Sequence, residues 1–358
     1  MDAAARAEAL AAVIRQIPIP PFVKARIDAL NILRAVRGTT GIEGADLSEE
    51  EVERIIGARP EERVLSASRA REEKEVRNAD RVMKYVAELI HEDPGTPLTE
   101  QLICKIHELT TQGIDYPHNV PGTYRTHSTT AGTYVPPRTG EEVRRLMAEF
   151  IAWFNGGSPQ YWRVAVQAVV AHFYVVSIHP FGDGNGRTAR AVEAFLLYKG
   201  GINARGFYSL ANFYYQRRTE YVDLLDAVRF QTDGNLTPFA RFALQGLVDE
   251  LTSVHAIVLD EVRIIAFRDY ARERLMVEGK LATKAGERMY HFLLGLAGEG
   301  EVSVSALRRG RHSLSAFYRN VTSKTLSRDL NFLRKHLLIS VDGDEIRPNL
   351  GVMDELLP

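Results

Sequence analysis

Apolar side chains recur with helical spacing along most of the first 275 residues of this 358-residue chain. Such spacing gives each helix an apolar stripe that has to be buried against its neighbours. We therefore predict a mainly α-helical fold, with helices over residues 21–42, 48–56, 66–92, 98–113, 140–154, 161–178, 186–199, 212–230 and 237–275. Ser48 with Glu51 predicts a capping box, and Pro94-Gly95 and Gly200-Gly201 mark helix ends.

Residues 120–138 depart from this pattern, because Thr, Ser, Gly, Tyr and Pro replace the helix formers. Residues 123–125 and 133–135 flank a polar tip, which predicts a short β-hairpin. A plain surface loop is the alternative for the same composition.

A different order of elements begins near residue 280. The sequence predicts helices over 283–296, 304–309 and 322–336, a short strand over 301–304, and two final strands joined at Asp342-Gly343-Asp344. This order resembles a small winged helix-turn-helix domain of the α+β type. A chain of this length exceeds one hydrophobic core. We predict four parts, namely an N-terminal helical segment (1–60), a helical core (61–250), a connector helix (251–280) and the winged-helix domain (281–358).

Composition limits the partners and the compartment. There are 45 basic and 46 acidic residues, so no global field favours nucleic acid or an anionic membrane. Cys104 is the only cysteine, which excludes an internal disulfide and fits a reducing, cytoplasmic compartment. The longest apolar run, 164–178, contains Gln167 and His172, so we expect a buried helix and no membrane partner.

The stretch from His179 to Arg190, HPFGDGNGRTAR, carries the most chemical information. Its three glycines let the backbone approach a ligand, and the helix that follows offers free N–H groups suited to phosphate. Arg187 and Arg190 share one helix face and can both point at anionic oxygens. Asp183 is a hard oxygen ligand of the kind that nucleotide-bound Mg²⁺ needs, and His179 could take a proton from an attacking hydroxyl.

Three other metal or phosphate sites do not fit this stretch. A calcium loop that started at Asp183 would meet Arg187, Thr188 and Ala194 where ligands or glycine are required. A Walker-type loop would need Gly-Lys-Ser/Thr. A zinc site would need more than His172 and His179.

The stretch resembles the signature H-P-F-x-D/E-G-N-G-R-x-x-R of the Fic family at every fixed position. Further similarity lies at Pro121 to Arg125 and at Tyr215, Arg218 and Tyr221, so that the resemblance covers roughly residues 15 to 245. It implies a Fic-type helical core with a β-hairpin flap, over residues 121–137, that clamps a target chain by strand pairing.

The resemblance also implies a role for each residue of the signature. His179 is expected to act as the general base, and Asp183 to hold Mg²⁺ between the α- and β-phosphates of ATP. The α-phosphate would lie against Asn185 and the backbone of Gly184 and Gly186. The remaining expected roles are the β-phosphate for Arg187, the γ-phosphate for Arg190, a core anchor for Phe181, and the nucleobase pocket for Tyr215 and Tyr221.

Residues 39–44, TTGIEG, match the family's inhibitory motif S/T-x-x-x-E-G/N. Taken alone, a Glu before Gly at a helix end is usually a solvated C-terminal residue. The resemblance implies that Glu43 reaches Arg190 and takes the place of the γ-phosphate. Family members of this class II type carry the inhibitory helix ahead of the catalytic core, as this chain would.

Between residues 308 and 336 there are eight basic side chains and one acidic side chain, Asp329. Lys324 and Arg328 are expected on the exposed side of the predicted helix 322–336. The cluster indicates either a DNA-binding face or a solvated face on a protein-contact or dimerising module.

The resemblance implies an enzyme that transfers AMP from ATP to a Ser, Thr or Tyr hydroxyl of a target protein, or of the chain itself, under inhibition by Glu43. Removal of AMP, alone or as a second activity that uses Glu43, is one alternative. A DNA-binding regulator with a nucleotide-sensing core is another. Other nucleotides or phosphocholine as donor stay open, and so does a homodimer.

Overall fold

The computed structural model describes residues 2–59, 61–202 and 210–353. The chain divides into two compact units, Met1–His255 and Ala256–Pro358. The boundary falls inside a long helix, whereas the predicted boundaries at residues 60, 250 and 280 stay predictions.

The first unit is built from helices, as predicted. These are α1 Ala3–Gln16, α2 Pro21–Ile42, α3 Glu49–Gly57, α4 Ala70–Glu92, α5 Glu100–Thr111, α6 Gly140–Gly156, α7 Val164–Ile178, α8 Asn185–Lys199, α9 Ala211–Gln216, α10 Arg218–Phe230 and α11 Thr237–Val277. Short 3₁₀ turns precede α4 and α7. Each of the nine predicted segments is helical, but the segment 212–230 is broken at Arg217 and helix α1 was not predicted.

Side-chain caps fix where several of these helices begin. Ser48 accepts a hydrogen bond from the Glu51 N–H, and Glu51 accepts one from the Ser48 N–H, so the predicted capping box is confirmed. Thr99 and Thr139 cap α5 and α6 through one side-chain hydrogen bond each.

Helices α7 and α8 lie at the centre of the first unit. Helix α7 is apolar on all sides and largely buried, and twelve of the fifteen residues of α8 are buried. A helix that is apolar all round belongs in a core. Both helices pack on each other, and α8 also packs on α4 and α5, so the short link between α7 and α8 lies against the core.

The predicted hairpin over residues 120–138 was wrong as a pair of strands. The segment has one isolated bridge, between Ala131 and Tyr134, and is otherwise irregular. Its backbone is held by other parts of the fold instead, because the Arg125 N–H donates to the Pro180 carbonyl. Pro136 and Pro137 also lack the N–H groups that a ladder requires.

Helix α11 is 41 residues long and contains an 18-residue window with a mean hydropathy of 1.3. Length and composition alone would let such a helix cross a membrane. However, the core helices of proteins without a membrane pass the same test, and 44% of this window is buried within the fold.

The second unit combines helices with a small sheet. Its elements are α12 Lys284–Glu299, β1 Val302–Ser303, α13 Val304–Arg308, a 3₁₀ turn Ser313–Tyr318, α14 Ser323–Lys335, β2 Ile339–Asp342 and β3 Glu345–Pro348. The strands are antiparallel in the order β1-β3-β2. Gly343, with φ 58°, makes the turn between β2 and β3. The elements follow the predicted order, and the assignment as a winged helix stays a prediction.

The core of the second unit includes side chains from α11. Phe267, Ala271 and Leu275 are buried in one apolar cluster with residues such as Phe292 and Leu333. The predicted connector 251–280 therefore contributes to a core.

Candidate active site

The link between α7 and α8 places the predicted site residues on a tight turn. Helix α7 is ended by His179, whose φ of 53° and ψ of 57° are left-handed. Gly184, with φ 74°, caps the start of α8, and a Cβ there would meet Thr111 at 2.7 Å. The first N–H groups of a helix have no partner within the helix, so the start of α8 is a place for an anion.

Asn185 closes the loop on itself. Its side-chain oxygen accepts from the Phe181 N–H, and its Nδ2 donates to the Phe181 carbonyl, both at 2.9 Å. The Phe181 ring is fully buried, as predicted for a core anchor. The side chain of Asn185 therefore holds the loop, and its contact with the α-phosphate stays a prediction.

Asp183 lies at the outer side of the loop, with a partly exposed side chain. Its Oδ1 accepts from the Gly184 N–H and from Arg187 at 3.0 Å. Within the described residues, no group of three or more His, Cys, Asp or Glu side chains could hold a metal ion. One carboxylate beside a phosphate-binding loop fits Mg²⁺ that arrives with a nucleotide, because such Mg²⁺ takes few protein ligands.

Arg187 is buried in a polar network. Its guanidinium donates to the Tyr116 hydroxyl at 2.6 Å and lies 3.3 Å from a carboxylate oxygen of Glu75. Burial disfavours its charged form, but the negative charges of Glu43 and Glu75 outweigh burial and raise the pKa of Arg187. The Nε of Arg187 is buried without a partner. A fixed cation with a donor to spare suits a phosphate oxygen.

Arg190 is 1% exposed and pairs with the inhibitory motif. It donates to Glu43 Oε1 at 2.6 Å, to the Thr39 hydroxyl at 2.9 Å and to the Thr39 carbonyl at 3.1 Å. The predicted contact between Glu43 and Arg190 is therefore present. The sequence did not assign a role to Thr39, the first residue of the motif, which holds the same guanidinium.

The carboxylate of Glu43 lies over the start of α8. A Cβ added to Gly186 would stand 2.5 Å from Glu43 Oε1, so the two groups are in direct contact. The Glu43 side chain is 36% exposed. Burial raises its pKa, but the charges of Arg190 and Arg187 outweigh that effect and hold the pKa below the usual value. Glu43 is thus an anion in the position that suits a phosphate.

His179 faces the same space with an uncharged ring. Burial lowers the pKa of the imidazole to about 4, and the hydrogen bond from Nδ1 to the Val176 carbonyl opposes this only in part. The backbone of His179 is fixed by Arg125, whose Nε donates to the His179 carbonyl at 2.8 Å. At neutral pH the ring can accept a proton.

A cavity of about 350 Å³ opens between these groups. Its lining includes Ile42, Glu43, Ala131, Gly132, Val176, His179, Gly186, Arg190, Arg218, Tyr221, Val222, Leu225, Asp226 and Arg229. Tyr221 is a lining residue, and its hydroxyl contacts His172 Nε2 at 2.9 Å. Its place in a nucleobase pocket stays a prediction.

Tyr215 is not among the residues that line this cavity, and its place in a nucleobase pocket stays a prediction. Its ring packs on Gly41 of α2, where a Cβ would meet it at 2.5 Å. The guanidinium of Arg37 lies 5.6 Å from the same ring. Helical spacing did not reveal which face of the broken segment would turn toward α2.

Two further residues hold the site together and were not predicted to do so. Arg125 is buried and donates to the carbonyls of His179, His127 and Pro137, which ties residues 125–137 to the catalytic loop. His107 contacts both the loop and Gly122. The role of Arg125 follows from the cluster of backbone carbonyls around its guanidinium. Such a cluster cannot be recognised from the spacing of residues in the sequence.

The loop between the two core helices brings together the start of a helix, a neutral histidine and two buried arginines, and comparisons with known proteins show which family has similar sequences. Residues 97–197 match the family model described as the Fic/DOC family. This part of the chain is therefore similar to the Fic/DOC family.

Several relatives that the chain matches are named protein adenylyltransferase Fic. That of Aedes aegypti is 30% identical over 205 residues, which are 57% of this chain and 38% of the relative, and that of Drosophila melanogaster is 28% identical over the same shares. The chain thus spans about two fifths of the length of these relatives.

Solved structures with the same fold include a fragment of Fic-1 of C. elegans. It is 23% identical with a TM-score of 0.57, over 71% of each chain. A Fic family protein from Desulfovibrio desulfuricans G20 is 20% identical with a TM-score of 0.56, over 97% of this chain and 96% of that chain.

Proposed function

We propose that this chain transfers AMP from ATP to a hydroxyl group of a protein. The observation that carries the proposal is the cavity in which His179, the start of α8 and Arg190 face one another. Fic-named relatives with adenylyltransferase in their names support the same reaction class. The identity of the donor as ATP belongs to the proposal.

In the proposed reaction the target hydroxyl oxygen attacks the α-phosphorus of ATP. A new P–O bond forms, the bond to the β-phosphate breaks, and pyrophosphate leaves. His179 takes the hydroxyl proton, since its ring is neutral at physiological pH. The N–H groups at the start of α8, with Arg187, stabilise the phosphate oxygens. Mg²⁺ held by Asp183 would supply further charge neutralisation when ATP is bound.

Residues 121–137 are proposed to hold the target chain. Ala131 and Gly132 line the cavity opposite His179, and the single bridge leaves neighbouring backbone groups free of a ladder. An extended target segment could pair with such an edge and present its hydroxyl to His179. The target carries Ser, Thr or Tyr, and the chain itself is a candidate.

Glu43 is proposed to inhibit transfer. Its carboxylate would take the place of the γ-phosphate, since it engages Arg190, the arginine that would bind this phosphate. ATP could then bind only with its phosphates turned away from the in-line geometry. The wild-type chain should therefore incorporate almost no AMP.

Replacing Glu43 tests both proposals together. With saturating ATP and Mg²⁺, Glu43→Gly should raise AMP incorporation by at least about tenfold, the ratio that corresponds to roughly 1.4 kcal/mol. Mass spectrometry would locate the label. Glu43→Gln keeps the size of the side chain but removes its charge, so it should activate transfer less than Gly does.

Glu43→Gly combined with His179→Ala is the control. This double variant should incorporate no AMP but still bind ATP, because His179 acts on the hydroxyl and not on the phosphates. Equal rates in wild type and Glu43→Gly would reject inhibition by Glu43. Transfer by the double variant would reject His179 as the base.

Removal of AMP is the alternative that uses the same residues. Glu43 is an anion that is partly exposed to the cavity, where it could orient a water molecule toward an AMP–protein bond. If a premodified target loses AMP in wild type and keeps it in Glu43→Gly, Glu43 is a catalytic residue of the reverse reaction. A dual enzyme would show both effects.

DNA binding by the second unit is a second candidate function, and one face of α14 favours it. Lys324, Arg328, Asn331 and Lys335 repeat at intervals of three and four residues and are all exposed. Asp329, the one acid of this helix, turns inward and pairs with Arg288 at 2.6 Å. The exposed face therefore carries three cations, and its only acidic contact among the described residues is a long one of 3.9 Å between Arg328 and Asp329. Such a face suits a phosphate backbone.

A titration of the full chain with a duplex of random sequence tests this candidate. Affinity should fall steeply with salt, and Arg328→Ala should weaken binding and reduce the salt slope by about one. Lys284→Ala, at an exposed position at the start of α12, is the matched control and should change neither. Absent or salt-independent binding would favour a protein-contact or homodimer face. The cytoplasmic location is proposed only from the single cysteine.

A further inference from the structure

His107 of α5 lies between the catalytic loop and the start of residues 121–137. Its imidazole is fully buried and is stacked on the ring of Phe181, with centroids 3.6 Å apart and planes 6° apart. No role has been given to this ring in the reaction, and it does not line the cavity.

Both nitrogens of His107 are engaged, each with a different segment. Nδ1 lies 2.9 Å from the Gly122 N–H, and Nε2 lies 2.9 Å from the Asp183 carbonyl. A backbone N–H can only donate, so Nδ1 accepts and carries no hydrogen. Nε2 then carries the hydrogen of the neutral ring and donates to Asp183. The two partners thus define one tautomer.

The Asp183 backbone is held at both ends by these contacts. Its carbonyl accepts from His107, and its N–H donates to Asn119 Oδ1 at 3.0 Å. Asn119 lies just before residues 121–137, and Gly122 is the second residue of this segment. The residue that would hold Mg²⁺ and the segment that would hold the target therefore share one imidazole as a common support.

We propose that His107 is a positioning residue that couples the target-binding segment to the catalytic loop through its two hydrogen bonds. The inference rests on the proposed AMP transfer for its consequence in catalysis. The His107 side chain does not line the cavity that would take ATP. It fixes the direction of the Asp183 carboxylate through one nitrogen and the first turn of residues 121–137 through the other.

Two substitutions separate the two hydrogen bonds. In His107→Gln the amide NH₂ can replace the Nε2 donor to Asp183, but the contact with Gly122 is lost. In His107→Asn the amide oxygen can replace the Nδ1 acceptor for Gly122, but the contact with Asp183 is lost. His107→Phe retains the stacking on Phe181 and loses both bonds.

The variants are compared in the full chain that carries Glu43→Gly. His107→Asn should weaken the affinity for Mg²⁺·ATP by about tenfold or more, as measured for partners that orient a metal ligand. Amide exchange at residues 122–135 should stay at the parent rate in this variant. His107→Gln should show the reverse pattern, with faster exchange there and unchanged Mg²⁺·ATP affinity. His107→Phe should show both defects.

A purely structural role for the ring gives a different result. All three variants would then unfold at lower temperature, while Mg²⁺·ATP affinity and amide exchange of the folded fraction stay at the parent values. That outcome, or identical behaviour of the Gln and Asn variants, would overturn the proposal. Nitrogen NMR of the wild type at pH 7 gives an independent check, since a hydrogen on Nδ1 would also overturn it.

The two proposals can fail separately. In one case the Glu43→Gly parent transfers no AMP, but His107→Gln still changes only amide exchange and His107→Asn still changes only Mg²⁺·ATP affinity. The coupling through His107 then stands and the proposed reaction is rejected. If the parent transfers AMP and the variants do not divide these properties, the coupling is rejected.

Discussion

His179 is the residue whose protonation decides whether the proposed reaction can proceed. Its pKa is lowered to about 4 by burial, so the free base is present throughout the neutral range. A histidine with the usual value near 6.5 would lose the free base below that pH. Catalysis by this chain should therefore depend little on pH where most histidine-dependent enzymes lose activity.

We predict that kcat/KM of the Glu43→Gly variant has no inflection between pH 5.5 and pH 8 that belongs to His179. The base becomes protonated only as the pH falls through about 4, so the acidic limb should lie near that value. The measurement is AMP incorporation at limiting acceptor across this range. An acidic limb centred near pH 6.5 would contradict the assignment of a buried, neutral base.

The residues of the catalytic loop could be predicted from the sequence because they are adjacent in it. His179, Asp183, Arg187 and Arg190 lie close together along the chain, and one turn and one helix bring them together. Supports such as His107 and Arg125 could not be predicted. They act through backbone groups far away in the chain, and backbone groups carry no sequence signal.

The packing of α2 is the feature at the scale of an element that matters most for the proposed inhibition by Glu43. Helix α2 packs closely on α9 because two glycines face it: a Cβ at Gly38 would meet the Ala211 backbone at 2.6 Å, and a Cβ at Gly41 would meet the Tyr215 ring at 2.5 Å. Arg218 also donates to the Ile42 carbonyl at 2.8 Å. These contacts set the position of Glu43 at the end of α2.

We predict that Gly38→Ala activates AMP transfer although Glu43 is retained. The added methyl group meets backbone atoms that cannot rotate away, so α2 must shift and the contact between Glu43 and Arg190 should weaken. The rate of AMP incorporation should rise by severalfold over wild type. Gly57→Ala in α3 is the control, because a Cβ there meets nothing within 4 Å.

Activation by Gly38→Ala should disappear when His179→Ala is added. An unchanged rate in folded Gly38→Ala protein would mean that α9 does not determine the position of Glu43.

The positions of the helices could be predicted from the sequence. The contacts that interrupt a helix, or that hold an irregular segment, could not. A 3.6-residue period reports which face of a helix is apolar. For α2 the predicted bounds, 21–42, are the same as the observed bounds. The break at Arg217 has no Gly or Pro to signal it, and the neighbouring Tyr215 and Arg218 are held by α2. Residues 120–138 have strand-like composition, but Arg125 occupies carbonyls that strand pairing would have used.

For the molecule as a whole, α11 is the element that both compact units share. Phe239, Leu247 and Leu251 are buried in its N-terminal part, whereas Phe267, Ala271 and Leu275 belong to the core of the second unit. The sequence of the predicted connector 251–280 did not indicate that its side chains join the core of the second unit. An apolar stripe on a helix does not reveal against which core the stripe packs.

We predict that truncation after residue 255 and truncation after residue 280 have opposite outcomes. In a Glu43→Gly background, chain 1–255 should be monodisperse and transfer AMP, since no cavity residue lies beyond it. Chain 1–280 retains the apolar side chains of α11 without their partners, so it should self-associate. Size-exclusion chromatography with the transfer assay distinguishes the two. A monodisperse chain 1–280 would contradict this division of α11.

The left-handed backbone of His179 lowers the stability of the fold at the position that would hold the general base. With φ at 53°, a residue other than Gly or Asn carries a conformational cost of roughly 1–2 kcal/mol there. Selection of random variants for heat resistance alone should therefore enrich Gly or Asn at position 179. The selected variants would be more stable to heat but would lack the proposed general base.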